Sequence, residues 1–512
     1  MRLVRRKNMS LQTELNLLEE LMKQGRLNEA RSKITAMLAH TPDEPGVLHA
    51  HAVIMWQSSQ NDAAIASMKK AVEYAPEPVA LLMPLAQMQH GVGDLDGALV
   101  SLRNLIKHTP DNPESLINLS GLLIEANRNE EALDVLSAAA KTFSNVADIL
   151  FNLGVVQKRL HQLTPAAESY LGAVKLAPDN PHFCLSLGCA LIDIQDYLRA
   201  VETLRPLAIK YPDNDDVADR LGFALTQSGK SEDAIDVYKK LAAKHPANTM
   251  VNERLMYNQM QLGHWQDAQK QCETILNLDP GNIGTLGYRK FILDETGSAR
   301  AEDDLYNIEA WIKRQAITLP DGYKDLDHFN AQLADDILAA SLNGQETLAI
   351  SCHNGKIVAD LKQCEGAAIA VFVAAISEAM ASYVEQFKPP ADTSWSANKP
   401  DNWEIYIWST VLNDGGYQDS HMHPSAWVSG VYYVSLPQSM GNGSSSHDGW
   451  LEFGEAPARF NLSAPAKTQT MKPEPGLIMF FPSYFHHRTI PFKSTDHRIS
   501  IAFDLEPRQT SR

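Results

Sequence analysis

Apolar and polar positions in the first half of the chain alternate with helical spacing, and the pattern repeats every 34 residues. From about residue 11 to residue 282, eight frames follow one another without a gap. One position is alanine in every frame: Ala30, Ala64, Ala98, Ala132, Ala166, Ala200, Ala234 and Ala268. Twelve residues further on, seven frames carry proline, at Pro42, Pro76, Pro110, Pro178, Pro212, Pro246 and Pro280, with Ser144 in the remaining one. Five residues before the alanine, four frames have glycine: Gly25, Gly93, Gly229 and Gly263. Each frame thus predicts two amphipathic helices around a turn. The small alanine lets the second helix approach the first, and the proline stops the second before the next frame begins.

The period then changes. NIGTLGYRKFILDETGSAR (282–300) ends the array, and the apolar spacing of DDLYNIEAWIKRQA (303–316) predicts a helix that covers its open face. From 319 onward come a helix at HFNAQLADDILAAS and a long small-residue helix over 366–387. Short runs that alternate apolar and polar residues follow: EIYIWSTVL, AWVSGVYYVSL, GWLEFGE, GLIMFFPS and HRISIAFDLEP, separated by Gly, Pro, Asn and Asp. Helices first and many short strands after predict a jelly-roll with helices packed outside. The expected organisation is a basic tail (1–10), the repeats (11–282), capping helices and linker (283–318) and a β-rich domain (319–512).

Composition narrows the function classes. At 512 residues, 44% of them apolar, the chain can bury several cores, and no run approaches eighteen consecutive apolar residues, which argues against a bilayer-spanning helix. MRLVRRKNMS runs directly into LQTELNLLEELM, whose acidic residues interrupt any signal-peptide apolar region. Five scattered cysteines without a CxxC pair fit reduced thiols. A net charge of −17 opposes nonspecific attraction to nucleic acid or anionic membrane. The expectation is a cytoplasmic protein with neither as partner.

Candidate chemistry lies in HMHPSAW. Residues i and i+2 of an extended segment face one side, so His421 and His423 can present both imidazoles to one ion. A further histidine, His487, follows 66 residues after His421 in FFPSYFHHRTIP, and Arg498 comes eleven residues later in HRISIAFD. The adjacent His486 and His487 face opposite ways in a strand, so one of them at most reaches such an ion.

The repeat frames, best in LFNLGVVQKRLHQLTPAAESYLGAVKLAPDNP (150–181), resemble tetratricopeptide repeats. That resemblance implies an all-α superhelix whose concave face binds a protein or peptide. Asn16, Asn118 and Asn152 occupy one frame position and are candidates for a ladder to an extended peptide backbone, or else solvated polar positions.

The order HxH, SGVYYV, GWLEF, FFPSYFHHRTIP, RISIAF resembles the 2-oxoglutarate/iron oxygenases that occur attached to tetratricopeptide repeats. The resemblance implies a double-stranded β-helix with Fe(II) at its open end. Within it, His421 matches the first metal ligand and His487 the distal one, four residues before Pro491. Arg498 matches the arginine that pairs with the far carboxylate of 2-oxoglutarate, Ser500 completes an R-x-S pattern, and Tyr433 matches a position that offers a phenol to the cosubstrate. The usual carboxylate ligand is missing: His423 stands in its place. Either His423 ligates, or Asp419 supplies an oxygen, or the position is unligated; the three-histidine site is favoured. The function implied is a dioxygenase that hydroxylates a protein or peptide recruited by the repeats. Two other readings stay open, a catalytically silent repeat scaffold and a cosubstrate-independent three-histidine dioxygenase. An Arg498 and Ser500 clamp argues against the latter.

Overall fold

The computed structural model describes residues 2–298, 304–343, 351–391, 393–440 and 447–508. Within each frame the backbone reverses through a single residue in the left-handed region. Positions 25, 59, 93, 127, 161, 195, 229 and 263 all have φ between 56° and 80°. Four of them are not glycine: Ser59, Asn127, His161 and Gln195 hold the same turn, at a cost of about 1–2 kcal/mol each for the crowded Cβ. The frame therefore dictates the conformation, and glycine only relieves it. Gln195→Gly is accordingly expected to stabilise its hairpin by roughly 0.5–1 kcal/mol net of glycine's entropy, read as a Tm increase of about 1–3 °C in the helical circular-dichroism signal.

The second helices, from Leu27–His40 to Trp265–Leu278, are each 14 residues long, and the first helices, from Pro45–Gln57 to Thr249–Gln261, are 13. All eight frame alanines are 0–1% exposed, which is the closest approach the spacing demanded. The chain divides into two compact units, residues 1–224 and 225–512, and the division runs through the helix Asp215–Gln227. The first unit holds the helices from Arg2–Lys23 onward. The second holds the remaining repeat helices and the β-rich domain.

Within the second unit, the helix Ile283–Thr296 starts under the Asn282 cap and ends at Gly297, whose φ is 67°. Its Leu286 belongs to the core of the β-rich domain, while Phe291 and Ile292 join Met256, Met260 and Ile275 of the last repeat. The single helix expected over 303–316 does not form. Asn307 caps a short helical turn, Ile308–Trp311, and strand β1 (Lys313–Ala316) follows. β1 gains backbone pairing along the edge of the sheet, and Trp311 packs edge-on against Trp395 at 5.0 Å. The β-rich domain itself, instead of a capping helix, covers the helix 283–296.

The other strands are β2 (Cys352–Val358), β3 (Trp403–His421), β4 (Val428–Ser435), β5 (Leu451–Phe453), β6 (Gln469–Met471), β7 (Leu477–Pro482), β8 (His487–Thr489) and β9 (Arg498–Pro507). All pairings are antiparallel, in the order β1-β7-β4-β9-β3-β8-β5-β6, with β2 also on β3. The long β3 makes the curl. Residues 403–412 pair with β9, whereas Gln418 and His421 pair with β8 after a register shift. The single curled sheet that results is that of a jelly-roll.

Two helices pack against the sheet. Leu326–Asn343 accepts Tyr432 Oη at Asn330 Oδ1 (2.6 Å). Ala367–Glu385 buries Ala368, Ile369, Phe372, Ile376, Met380, Tyr383 and Val384, with Phe372 on Tyr432 (4.9 Å) and Tyr383 stacked on Phe480 (4.6 Å). Contrary to the sequence expectation, this 19-residue helix, with a mean hydropathy of 1.8, is long and apolar enough to cross a bilayer. Its alanines and valines carry that hydropathy without forming one unbroken apolar run, and here its larger side chains pack on the sheet.

Candidate metal centre

His421 ends β3 directly opposite His487, the first residue of β8. His423 lies two residues past the strand end, where its backbone N–H donates to Ser483 O (3.1 Å) and returns the chain toward the same cavity. One potential ligand nitrogen from each of the three imidazoles lies within 4.8 Å of the others. The rings are 4.5 Å (421–487), 5.2 Å (423–487) and 5.3 Å (421–423) apart.

Hydrogen bonds fix each ring. Nδ1 of His421 faces Asp419 O at 2.7 Å, and Nδ1 of His487 faces Phe485 O at 2.9 Å. Nδ1 of His423 faces both carboxylate oxygens of Asp504, at 2.7 and 2.8 Å. All these acceptors lack a proton to give, so each Nδ1 donates and the Nε2 of each neutral ring keeps its lone pair, the arrangement found behind metal-bound histidines.

Electrostatics distinguish the three. The His421 ring sits among protein atoms although the residue keeps some surface, and this burial, helped by His423, lowers its pKa to about 4. Burial, with His421 and His423 beside it, holds His487 well below its ordinary value. Burial alone would also depress His423, but the charge and hydrogen bond of Asp504 outweigh it and raise the pKa. Asp504 is 6% exposed and also accepts from Ser429 Oγ at 2.6 Å; Ser483 Oγ lies 2.9 Å from Ser429 Oγ, which can accept its proton.

The cavity that holds the three histidines is also lined by Thr410, Gln418, Val431, Arg498, Ser500 and Ala502. Arg498 is 1% exposed. Its Nε donates to Gly449 O (3.1 Å), its Nη1 donates to Ser500 Oγ (3.2 Å), and the guanidinium lies 5.2 Å from the centre of the Tyr433 ring. No carboxylate pairs with it among the described residues. Burial lowers the Arg498 pKa, yet a guanidinium stays charged at neutral pH. The Tyr433 hydroxyl is buried without a hydrogen-bond partner among the described residues, and burial pushes its pKa up to about 12, so it remains a phenol.

The structure thus gathers His421, His423, His487, Arg498, Ser500 and Tyr433 in one place. Asp419 is not part of it: its carboxylate turns outward to His353 Nε2 at 2.7 Å, and only its carbonyl serves His421. The register shift in β3 explains this, because the strand loses its alternation between Gln418 and His421 and places Gln418 on the cavity wall instead. As expected, His486 faces away from His487. It is buried against Tyr288 and Phe291, and burial lowers its pKa to about 3. In the helical half, Asn152 Nδ2 donates to Ser120 Oγ of the preceding frame (3.3 Å), Asn118 Nδ2 points at Met83 Sδ (3.8 Å), and Asn16 accepts from Gln12 within its own helix.

Comparison with known proteins agrees with this geometry. Residues 406–504 match the family described as "Putative 2OG-Fe(II) oxygenase", and residues 89–150 and 185–249 match tetratricopeptide repeats. Along the chain, the matches to tetratricopeptide repeats thus precede a match to a putative 2OG-Fe(II) oxygenase domain.

No curated protein matches the chain. Among solved structures, similar ones include YrrB, described as a TPR protein with an unusual peptide-binding site (16% identity, 37% of this chain and 97% of that one, TM-score 0.35). Others are the MamA protein (19%, 33% and 92%, 0.31) and a tetratricopeptide repeat protein from Parabacteroides merdae (16%, 49% and 97%, 0.33). Within the β-rich domain the sequence reading missed Asp504, Ser429 and Gln418. Asp504 had a signal: it stands six residues after Arg498 on β9, so an even count places it on the same inward face.

Proposed function

We propose that the protein is a 2-oxoglutarate- and Fe(II)-dependent dioxygenase that hydroxylates a protein or peptide delivered by its repeats. The observation that carries this reading is the convergence of three imidazoles, each with Nδ1 engaged and Nε2 free, in a cavity that also contains a buried, unpaired guanidinium.

The residues fit both groups. His421, His423 and His487 would hold the iron, and imidazole nitrogens suit Fe(II). A buried cation without a counter-charge is costly, so Arg498 calls for an anion. Two of its five N–H donors are used within the chain, and those that remain suit a carboxylate. Ser500 and the unpartnered Tyr433 hydroxyl stand beside it as further donors. Bound together, Fe(II) and 2-oxoglutarate supply activation of dioxygen coupled to release of CO2 and succinate. The chain's own residues orient the dicarboxylate between the histidines and Arg498, keep water from that end through the buried strand faces, and leave the open side to substrate.

The clamp favours this reading over a cosubstrate-independent dioxygenase, for which a buried cation opposite the histidines has no task. A silent scaffold has no need of three histidines oriented by separate acceptors. The expected result is succinate formation from 2-oxoglutarate by the anaerobically Fe(II)-loaded protein once oxygen is admitted. His487→Ala should reduce it by at least about a hundredfold, as loss of one of three metal ligands does through both affinity and geometry. Absence of succinate from the iron-loaded wild type, with a peptide library as substrate source, would reject the reading.

A further inference from the structure

Strand alternation sends the neighbours of the candidate ligands to the outside of the cavity, and both neighbours meet the same helix. Met422, between His421 and His423, seats on Gly287 of the helix 283–296. A Cβ at position 287 would fall on Met422 Sδ and come within 3.0 Å of Tyr484 O. His486, immediately before His487, packs against Tyr288 (5.3 Å) and Phe291 (5.1 Å) of the same helix. Gly284, one turn earlier, adds an ordinary contact with Pro424: a Cβ there would lie 3.9 Å from the proline's own Cβ.

The same face of this helix is anchored further along. Phe460, in the segment between β5 and β6, is 5% exposed and sits edge-on between Tyr257 (5.5 Å) and Tyr288 (5.6 Å), while Arg459 stacks over Tyr257 at 5.1 Å. Ser463 N and Oγ both donate to Glu295 Oε1, at 2.8 and 3.0 Å. Tyr306 Oη donates to Leu286 O at 2.7 Å, and Tyr484 Oη donates to Leu305 O at 2.6 Å.

From this arrangement we infer that the helix 283–296 is a positioning element of the metal centre: its Gly287, Tyr288 and Phe291 surface sets the backbone that carries all three histidines. The inference rests on the metal-site reading above and goes beyond it, because it makes the end of the repeat array part of the site. Neither Gly287 nor Phe291 reaches the cavity, so both act through Met422 and His486. A loop that carries two ligands is free to lose its geometry unless something backs it. Here the backing comes from a closely packed helix with no side chain at its contact point.

Full-length variants test it by anaerobic Co(II) titration, with the visible absorption of bound Co(II) as a report of ligand geometry and thermal unfolding as a report of folding. Gly287→Val should weaken Co(II) binding at least about tenfold and alter the spectrum, in the range seen when groups that orient ligands are changed. Adding Met422→Ala should restore most of that loss, because it frees the space the valine takes. Phe291→Ala introduces no clash, and it should also weaken binding and alter the spectrum; it decides the matter if Gly287→Val fails to fold. Folded Gly287→Val and Phe291→Ala proteins with wild-type affinity and spectrum would overturn the inference while leaving the metal site intact. A wild-type protein that binds no Co(II) would overturn both.

Discussion

Arg498→Met is expected to abolish 2-oxoglutarate turnover while the metal affinity stays within a few-fold of wild type. Methionine is about as long and as apolar as the arginine stem, so the core around it keeps its volume. What disappears is a cation that is 1% exposed, and with it the charge-assisted donors left over after Gly449 O and Ser500 Oγ. Each hydrogen bond to a charged group contributes roughly 1.5–3 kcal/mol, so loss of two such bonds should weaken 2-oxoglutarate by about 100-fold or more. Removing an unpaired buried charge should also leave the protein at least as stable as wild type. Calorimetric titration of the metal-loaded, oxygen-free protein with 2-oxoglutarate checks this. A variant that binds and turns over 2-oxoglutarate like wild type would remove Arg498 from the cosubstrate site.

Asp504→Ala should have the second-largest effect, and it acts on the metal instead of the cosubstrate. In the proposed site the carboxylate of a 2-His-1-carboxylate centre would lie one shell further out: His423 would take the ligand position, and Asp504 faces its Nδ1 with both oxygens. The aspartate thus lends negative charge to the site through an imidazole and locks that ring's tautomer. Loss of such a partner typically lowers metal affinity 10- to 100-fold. Asp504→Asn keeps the size and one acceptor but removes the charge, so its affinity should fall between wild type and Asp504→Ala. Competition against a chelator of known affinity measures all three. Equal affinities would reduce Asp504 to a partner of Ser429 alone.

Much of this architecture was legible in the sequence, for a physical reason. A repeat that must bury the same alanine against the same neighbour leaves a strict period, and the eight alanines and the turn five residues before them report it directly. The histidine and arginine positions were legible because period-two alternation converts spacing into facing, as for His421 with His423 and Arg498 with Ser500. Where the alternation fails, spacing no longer tells which way a side chain faces. The register shift after Gln418 reversed which side Asp419 faces, and nothing local in NDGGYQDSHMH marks the residue at which the pleat slips.

The stretch 303–316 misled for a different reason. Its apolar spacing suits a helix, but Lys313–Ala316 gain more from pairing with β7, a partner more than 160 residues away that no local pattern shows. The role of the helix 283–296 was equally hidden. Gly287 looks like a poor helix residue until Met422 is found against it.

The central claim is that His421, His423 and His487 form one metal centre, and metal content tests it most directly. Protein purified without oxygen and reconstituted with Fe(II) should retain about one iron per chain after gel filtration, and His487→Ala should retain well under half of that, as expected for a site of three protein ligands that loses one. A wild-type protein that keeps no metal, or a His487→Ala variant that keeps as much as wild type, would contradict the account.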